Sequence, residues 1–327
     1  MINRFRPAGP QSMVMLVAYT LVIKGYFLLH PAMPVAHPAD GFLFNILASR
    51  LHDIFHENAA WFVLLSMVLL FTQALGINRI VNRFHLLPRN SFLPAMSYLL
   101  ITTFFKQWNI FSAALLVNSL MLWALPLMIS LYSRDSARDT IFNIGMITGI
   151  AALVYFPAII FLLLIWTTLV ITRPFRPAEW VIAVLGLVCP FYFLSAFLFL
   201  TGRLNVLLKI PFAGLSYPRL PQEYLALASM ALILLLFAYS LYRLQQQYYK
   251  MLIQVRKAWT ILLAYILVAI IASFINKAFS INMWIMSMVP FAIFTANAFW
   301  NMKRKLLADI IHAALFGFGV AIQFFTG

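Results

Sequence analysis

Lysine and arginine fall into short clusters separated by long apolar runs, and the clusters alternate between rich and poor. A helix crossing a bilayer needs about 20 mainly apolar residues at about 1.5 Å rise each. That rule places spans at 12–30, 59–77, 91–105, 109–132, 140–155, 158–172, 180–202, 222–242, 259–276, 281–300 and 306–325. The run Ile141 to Thr172 is too long for one span and short for two. Pro157 divides it after Tyr155-Phe156, because proline disfavours the helical conformation in the residue before it. Two short tilted helices fit this run, as does one span plus a re-entrant segment.

The charges test this threading. With the N-terminus cytoplasmic, the inner loops hold Arg4, Arg6, Arg79, Arg83, Arg89, Arg134, Arg138, Arg173, Arg176, Arg243, Lys250, Arg256, Lys257, Lys303, Arg304 and Lys305. The outer loops hold only Arg50, Lys106, Arg203, Lys209, Arg219 and Lys277, and Lys24 lies inside the first span. The inner excess, 16 basic residues against 6, follows the positive-inside rule and puts the C-terminus on the periplasmic side. The expectation is an all-α polytopic membrane protein of about eleven transmembrane helices, a single transmembrane domain over residues 1–327.

Composition excludes the soluble classes. Only 9% of residues are charged against 64% hydrophobic, and the mean hydropathy is +0.93. A soluble domain uses about 25% charged residues to cover its surface. The net charge of +15 would suggest nucleic acid in a soluble protein, but here it flanks membrane segments, so anionic lipid is the expected partner and nucleic acid is not. Met1 to Gln11 reads as the basic flank of a retained anchor. Cys189 is the single cysteine, which excludes an intrachain disulfide and a cysteine-based metal site. No particular cofactor is indicated. No internal repeat is visible, so an inverted-repeat transporter gains no support.

Three segments are longer than turns. The outer loop 31–58 carries Asp40, Asp53 and Glu57 with His52 and His56. Its pattern from Gly41 onward is helical, with Asp40 as N-cap and the two histidines on one face. The second outer loop, 203–221, is basic and apolar, and the inner segment 243–258 mixes basic and aromatic residues in an amphipathic pattern.

Asp40, just past the first span, is a candidate general base, or a cation ligand with Asp53 or Glu57. The histidines with Glu57 form an alternative transition-metal set, although the spacing is not that of HExxH. A solvated interfacial helix accounts for the same residues without chemistry. Lys24 costs about 2.5–3.5 kcal/mol at the centre of a span unless paired or snorkelling, so it either reaches the outer interface or meets an anion. Arg203, Lys209 and Arg219 face the acidic first loop. Acid and base on one face suit a lipid-linked phosphate, with the cations holding phosphate; contact with lipid headgroups is the plainer reading. Asp309 is expected to pair near Lys303, Arg304 and Lys305, and Asn118 and Asn143 to bridge helices.

The stretches INRIVNRFHLLPRNSFLPAMSYLLITTFF (Ile77 to Phe105), FNIGMITGIAALVYFPAIIFLLLIW (Phe142 to Trp166) and RPAEWVIAVLGLVCPFYF (Arg176 to Phe193) resemble a family of multi-pass inner-membrane proteins of Bacteroidota. The first outer loop with its acidic residue, and the glycine-containing helix followed by a proline-containing apolar one, are similar more distantly to the GT-C membrane glycosyltransferases. That resemblance implies a GT-C-like helical arrangement, Asp40 as catalytic base and a polyprenyl-phosphate-linked sugar facing the basic loop. The paired acidic residues usual at the loop start are absent, as is a large outer C-terminal domain. Three roles follow: a transferase of envelope biogenesis, a non-enzymatic subunit of an envelope assembly with protein partners in the membrane, or a transporter.

Overall fold

The computed structural model describes residues 2–56, 58–134, 136–203, 224–275 and 281–325. The described residues are helical, with no β-strand among them. The helices in chain order are α1 (Pro10–Leu29), α2 (Phe42–Phe55), α3 (Ala59–Arg83), α4 (Leu93–Ile101), α5 (Ala113–Ser130), α6 (Arg138–Val154), α7 (Phe161–Thr172), α8 (Pro177–Leu200), α9 (Tyr224–Gln247), α10 (Ile253–Phe274), α11 (Ile285–Asn301) and α12 (Lys305–Phe325). Eight of the helical segments among the described residues, those of α1, α3, α5 and α8 to α12, are long and apolar enough to cross a membrane. This is a multi-pass membrane protein.

Local chemistry accounts for the helix ends. Pro10 and Pro177 occupy first-turn positions, where their missing N–H costs nothing. The Asn58 side chain caps α3 by accepting from Ala60 N at 3.0 Å. His56 closes α2 in the left-handed region, at φ 48°, and therefore leaves the helical face expected to carry it with His52. Tyr155 ends α6 two residues before Pro157, and a 3-10 turn over Phe156–Ile160 leads into α7.

Hydrogen bonds sort the connections into two ends. At one end Phe92 N donates to Phe5 O, Ile2 N to Asp309, Tyr239 OH to Asn301 O, and Arg173 to the carbonyls of Leu131 and Arg134. At the other, Gly41 N donates to Val154 O, Trp108 Nε1 to Ile281 O, and Phe44 stacks on Phe111. Arg134 and Arg173 thus share an end while the 154–156 bend reaches the opposite one, so α6 and α7 form a hairpin.

The α11 helix runs through the middle and is buried along nearly its whole length. The α8 helix lies at the periphery, held against α6 at a very close crossing. A Cβ on Gly145 would lie 2.5 Å from Ala183 O, one on Gly149 2.3 Å from Leu187 O, and one on Gly186 2.4 Å from Phe142 O. The GMITG run of α6 therefore serves an internal small-residue interface, where dispersion replaces the hydrophobic drive that lipid removes.

Candidate functional site: a buried lysine and a buried carboxyl at one end of the bundle

Of the expected spans, 91–105 departs most from expectation. The α4 helix stops at Ile101, and nine residues cover only about 14 Å, less than half of the ~30 Å hydrocarbon core. The chain continues through a 3-10 turn at Lys106–Asn109 before α5 begins. Irregular backbone survives at membrane depth where protein surrounds it, and Thr102, Thr103, Phe104, Phe105, Trp108 and Asn109 are all buried here.

This break receives Lys24. Five residues from the end of α1, about 7.5 Å along the axis, Lys24 does not snorkel. It turns inward, is only 2% exposed, and donates from Nζ to Thr102 Oγ1 at 3.1 Å and Asn109 Oδ1 at 2.5 Å. Asn109 is oriented for this by its own amide nitrogen, which donates to the carbonyls of Thr102 and Phe105. The C-terminal carbonyl end of α4 carries the negative pole of its dipole and favours the cation. Among the described residues no carboxylate pairs with Lys24.

Asp40 lies at the same end. Residues 39–41 run antiparallel to 154–156: Asp40 and Tyr155 form an isolated bridge, Gly41 N donates to Val154 O at 2.8 Å, and Phe156 N to Ala39 O at 3.3 Å. Only glycine fits at position 41, because a Cβ would lie 2.0 Å from Leu153 O. Asp40 is not the α2 N-cap; Gly41 is, without a side-chain bond. The Asp40 carboxylate instead accepts from His37 N at 2.7 Å, and His37 Nε2 meets Asn282 Nδ2 at 3.0 Å. Burial raises the Asp40 pKa above the usual carboxylate range, opposed in part by the His37 N–H and the His37 side chain. A carboxyl shifted in that direction is better matched to proton transfer near neutrality.

The other expected residues do not converge on Asp40. Asp53 is exposed near the far end of α2, about 17 Å along the helix from its start. Arg203 is exposed just after α8. Glu57, Lys209 and Arg219 lie outside the described residues. No three His, Cys, Asp or Glu side chains among the described residues gather as a metal set. Asn118 does bridge helices, whereas Asn143 is exposed. Asp309 takes the Ile2 backbone N–H at 2.9 Å.

Sequence reasoning singled out Asn118 as a helix bridge but missed its partners, Gln73 and Tyr98, with which it forms a polar lock below the Lys24 site. Tyr98 OH donates to Gln73 Oε1 at 2.5 Å, Asn118 Nδ2 to Tyr98 OH at 2.9 Å, and Gln73 Nε2 to Leu115 O and Ser119 Oγ. It ties α3, α4 and α5 together. The amide of Gln73 inside the apolar run 59–77 was the available signal. The chain matches no protein-family model, no curated protein and no solved structure.

Proposed function

We propose that this is an inner-membrane protein that threads the bilayer eleven times, N-terminus in the cytoplasm, and acts on a lipid-linked phosphate at its periplasmic end, with GT-C-like sugar transfer as the reaction. The observation that carries this reading is Lys24. Buried at depth with two neutral acceptors, Lys24 as an ammonium has a third donor and a charge that a bound anion would satisfy. Ionisable groups inside membrane spans mark functional sites by default. In this reading Lys24 holds the phosphate and Asp40, at the same end, takes the proton of the acceptor hydroxyl. The exposed Arg203, with Lys209 and Arg219, supplies the outer basic rim. The eleven crossings follow from adding α4, α6 and α7 to the eight long helices, with the basic clusters gathered at the cytoplasmic end.

A second reading, a non-enzymatic subunit of an envelope assembly, is favoured by one specific contact set. Asp40 is engaged by His37 N, and its backbone is paired with Tyr155, which are the bonds of a structural corner.

Native mass spectrometry of the protein purified with its own lipids separates the two. Beside the wild type stand Lys24→Met and Asp40→Asn, each checked for an unchanged melting temperature. A retained polyprenyl-phosphate species that Lys24→Met loses and Asp40→Asn keeps is the expected result. Retention of bulk phospholipid alone, equal in all three, sinks the transferase reading.

A further inference from the structure

Toward the opposite end from Lys24, α3 and α5 line an open cavity of about 490 Å³. Its walls are apolar, chiefly Leu69, Ile80, Leu122 and Pro126, and Trp123 stands at its edge 69% exposed. Arg79 and Arg83 close one end. They are four apart and so share a helix face, both are exposed, and no carboxylate among the described residues pairs with either. Gln73 and Ser119 line the deeper part, where both Gln73 polar atoms are already engaged in the lock.

These features define what the groove accepts. Polar recognition is left to one end, where two guanidiniums present forked donors suited to a phosphate. The remainder offers hydrocarbon contact. From Arg79 to Leu69 is ten residues, about 15 Å of helix, which equals one leaflet of a ~30 Å hydrocarbon core. That length fits one acyl chain whose headgroup lies at the interface. At mid-groove Leu122 packs against Gly76, where a Cβ would lie 2.4 Å from Leu122 Cδ2. Pro126 has no N–H to give the Leu122 carbonyl, so α5 is free to bend away there.

We infer that this groove is a binding site for an anionic phospholipid, its phosphate between Arg79 and Arg83 and one chain along Leu122 and Leu69. The site shares no residue with the Lys24 and Asp40 end and stands or falls independently of the function proposed there.

The test is native mass spectrometry of the full chain titrated with phosphatidylglycerol or phosphatidylethanolamine. Three proteins are compared: wild type, the double variant Arg79→Gln/Arg83→Gln, and Thr72→Phe. Thr72 lines the groove and is exposed, so a phenylalanine there fills space without touching the arginines. The expected result is one phosphatidylglycerol held by the wild type, weakened on the order of tenfold or more in each variant, with phosphatidylethanolamine weak throughout. Equal retention in all three overturns the site. So does loss in the double arginine variant with full retention in Thr72→Phe, which reduces the effect to surface charge outside the groove.

Discussion

Asp40 shows how one residue is set by neighbours far away in sequence. Its carboxyl is buried, and that burial favours the protonated form in the folded protein more than in the unfolded chain. The folded state therefore binds the proton more readily, and stability falls as pH rises from about 4 through the folded-state pKa, then levels. Asp40→Asn keeps an acceptor for His37 N and removes the titration. Melting temperatures of both proteins in detergent, from about pH 4 to about pH 7, should show the wild type losing stability relative to Asp40→Asn as pH rises. A relative gain would mean that a cation pairs with the carboxylate, contrary to its surroundings. The position of Asp40 just past an apolar run was legible in the sequence. Its partners were not: His37 acts through a backbone N–H, and Tyr155 lies 115 residues on. Lys24 was legible as costly, but its inward turn depends on Thr102 and Asn109, which an apolar count reads as the end of one span and the start of another.

Among the elements, the α6–α7 hairpin was readable because proline leaves a local signature. The early stop of α4 was not, since Thr102 to Phe105 hold neither glycine nor proline. At its C-terminus the Thr102 and Thr103 hydroxyls donate back to the Tyr98 and Leu99 carbonyls, and the Asn109 amide donates to the carbonyls of Thr102 and Phe105. The α6–α8 crossing lies between these cases, for GMITG is a visible motif whose partner helix is not. That crossing is the principal attachment of α8, most of whose outer face is exposed. In Gly149→Leu, the Cβ would lie 2.3 Å from the Leu187 carbonyl oxygen, a backbone atom that moves only if the helices part. Overpacking of this kind costs about 1–3 kcal/mol and more where backbone must shift. A clear drop in the temperature at which the monomer peak is lost in size-exclusion chromatography is expected. Gly317→Leu, where a Cβ meets nothing within 4 Å, should leave that temperature unchanged. Equal behaviour of the two variants would show that the crossing is not tight.

At the scale of the whole molecule, alternation of charge and geometry of contact are independent measures of the same threading. Charge clustering assigns loops to sides through the cost of moving Lys and Arg across a bilayer. Hydrogen bonds assign them to ends through distance alone. Arg6, Arg134, Arg173 and Lys257 bond at one end of the bundle, and His37, Gly41 and Trp108 at the other, which is the sorting that the proposed threading requires. The proposed threading turns on α4, which is too short to cross unaided: a turn-back at Ile101 would invert every later loop. In the eleven-span threading proposed above, the connection between α4 and α5 completes the passage, and the stacking of Phe111 on Phe44 supports that reading. Single cysteines in a Cys189→Ser background test this directly. Asp53→Cys and Arg203→Cys should react with a membrane-impermeant maleimide from the periplasmic side of intact cells. Arg138→Cys and Lys303→Cys, both exposed positions, should react only after the cells are opened. If Arg138→Cys reacts with Asp53→Cys, the passage through α4 fails. If all four sites exchange sides together, the contact-defined ends survive and the orientation taken from charge is reversed, which would move Lys24 and Asp40 to the cytoplasmic end and require a substrate presented there.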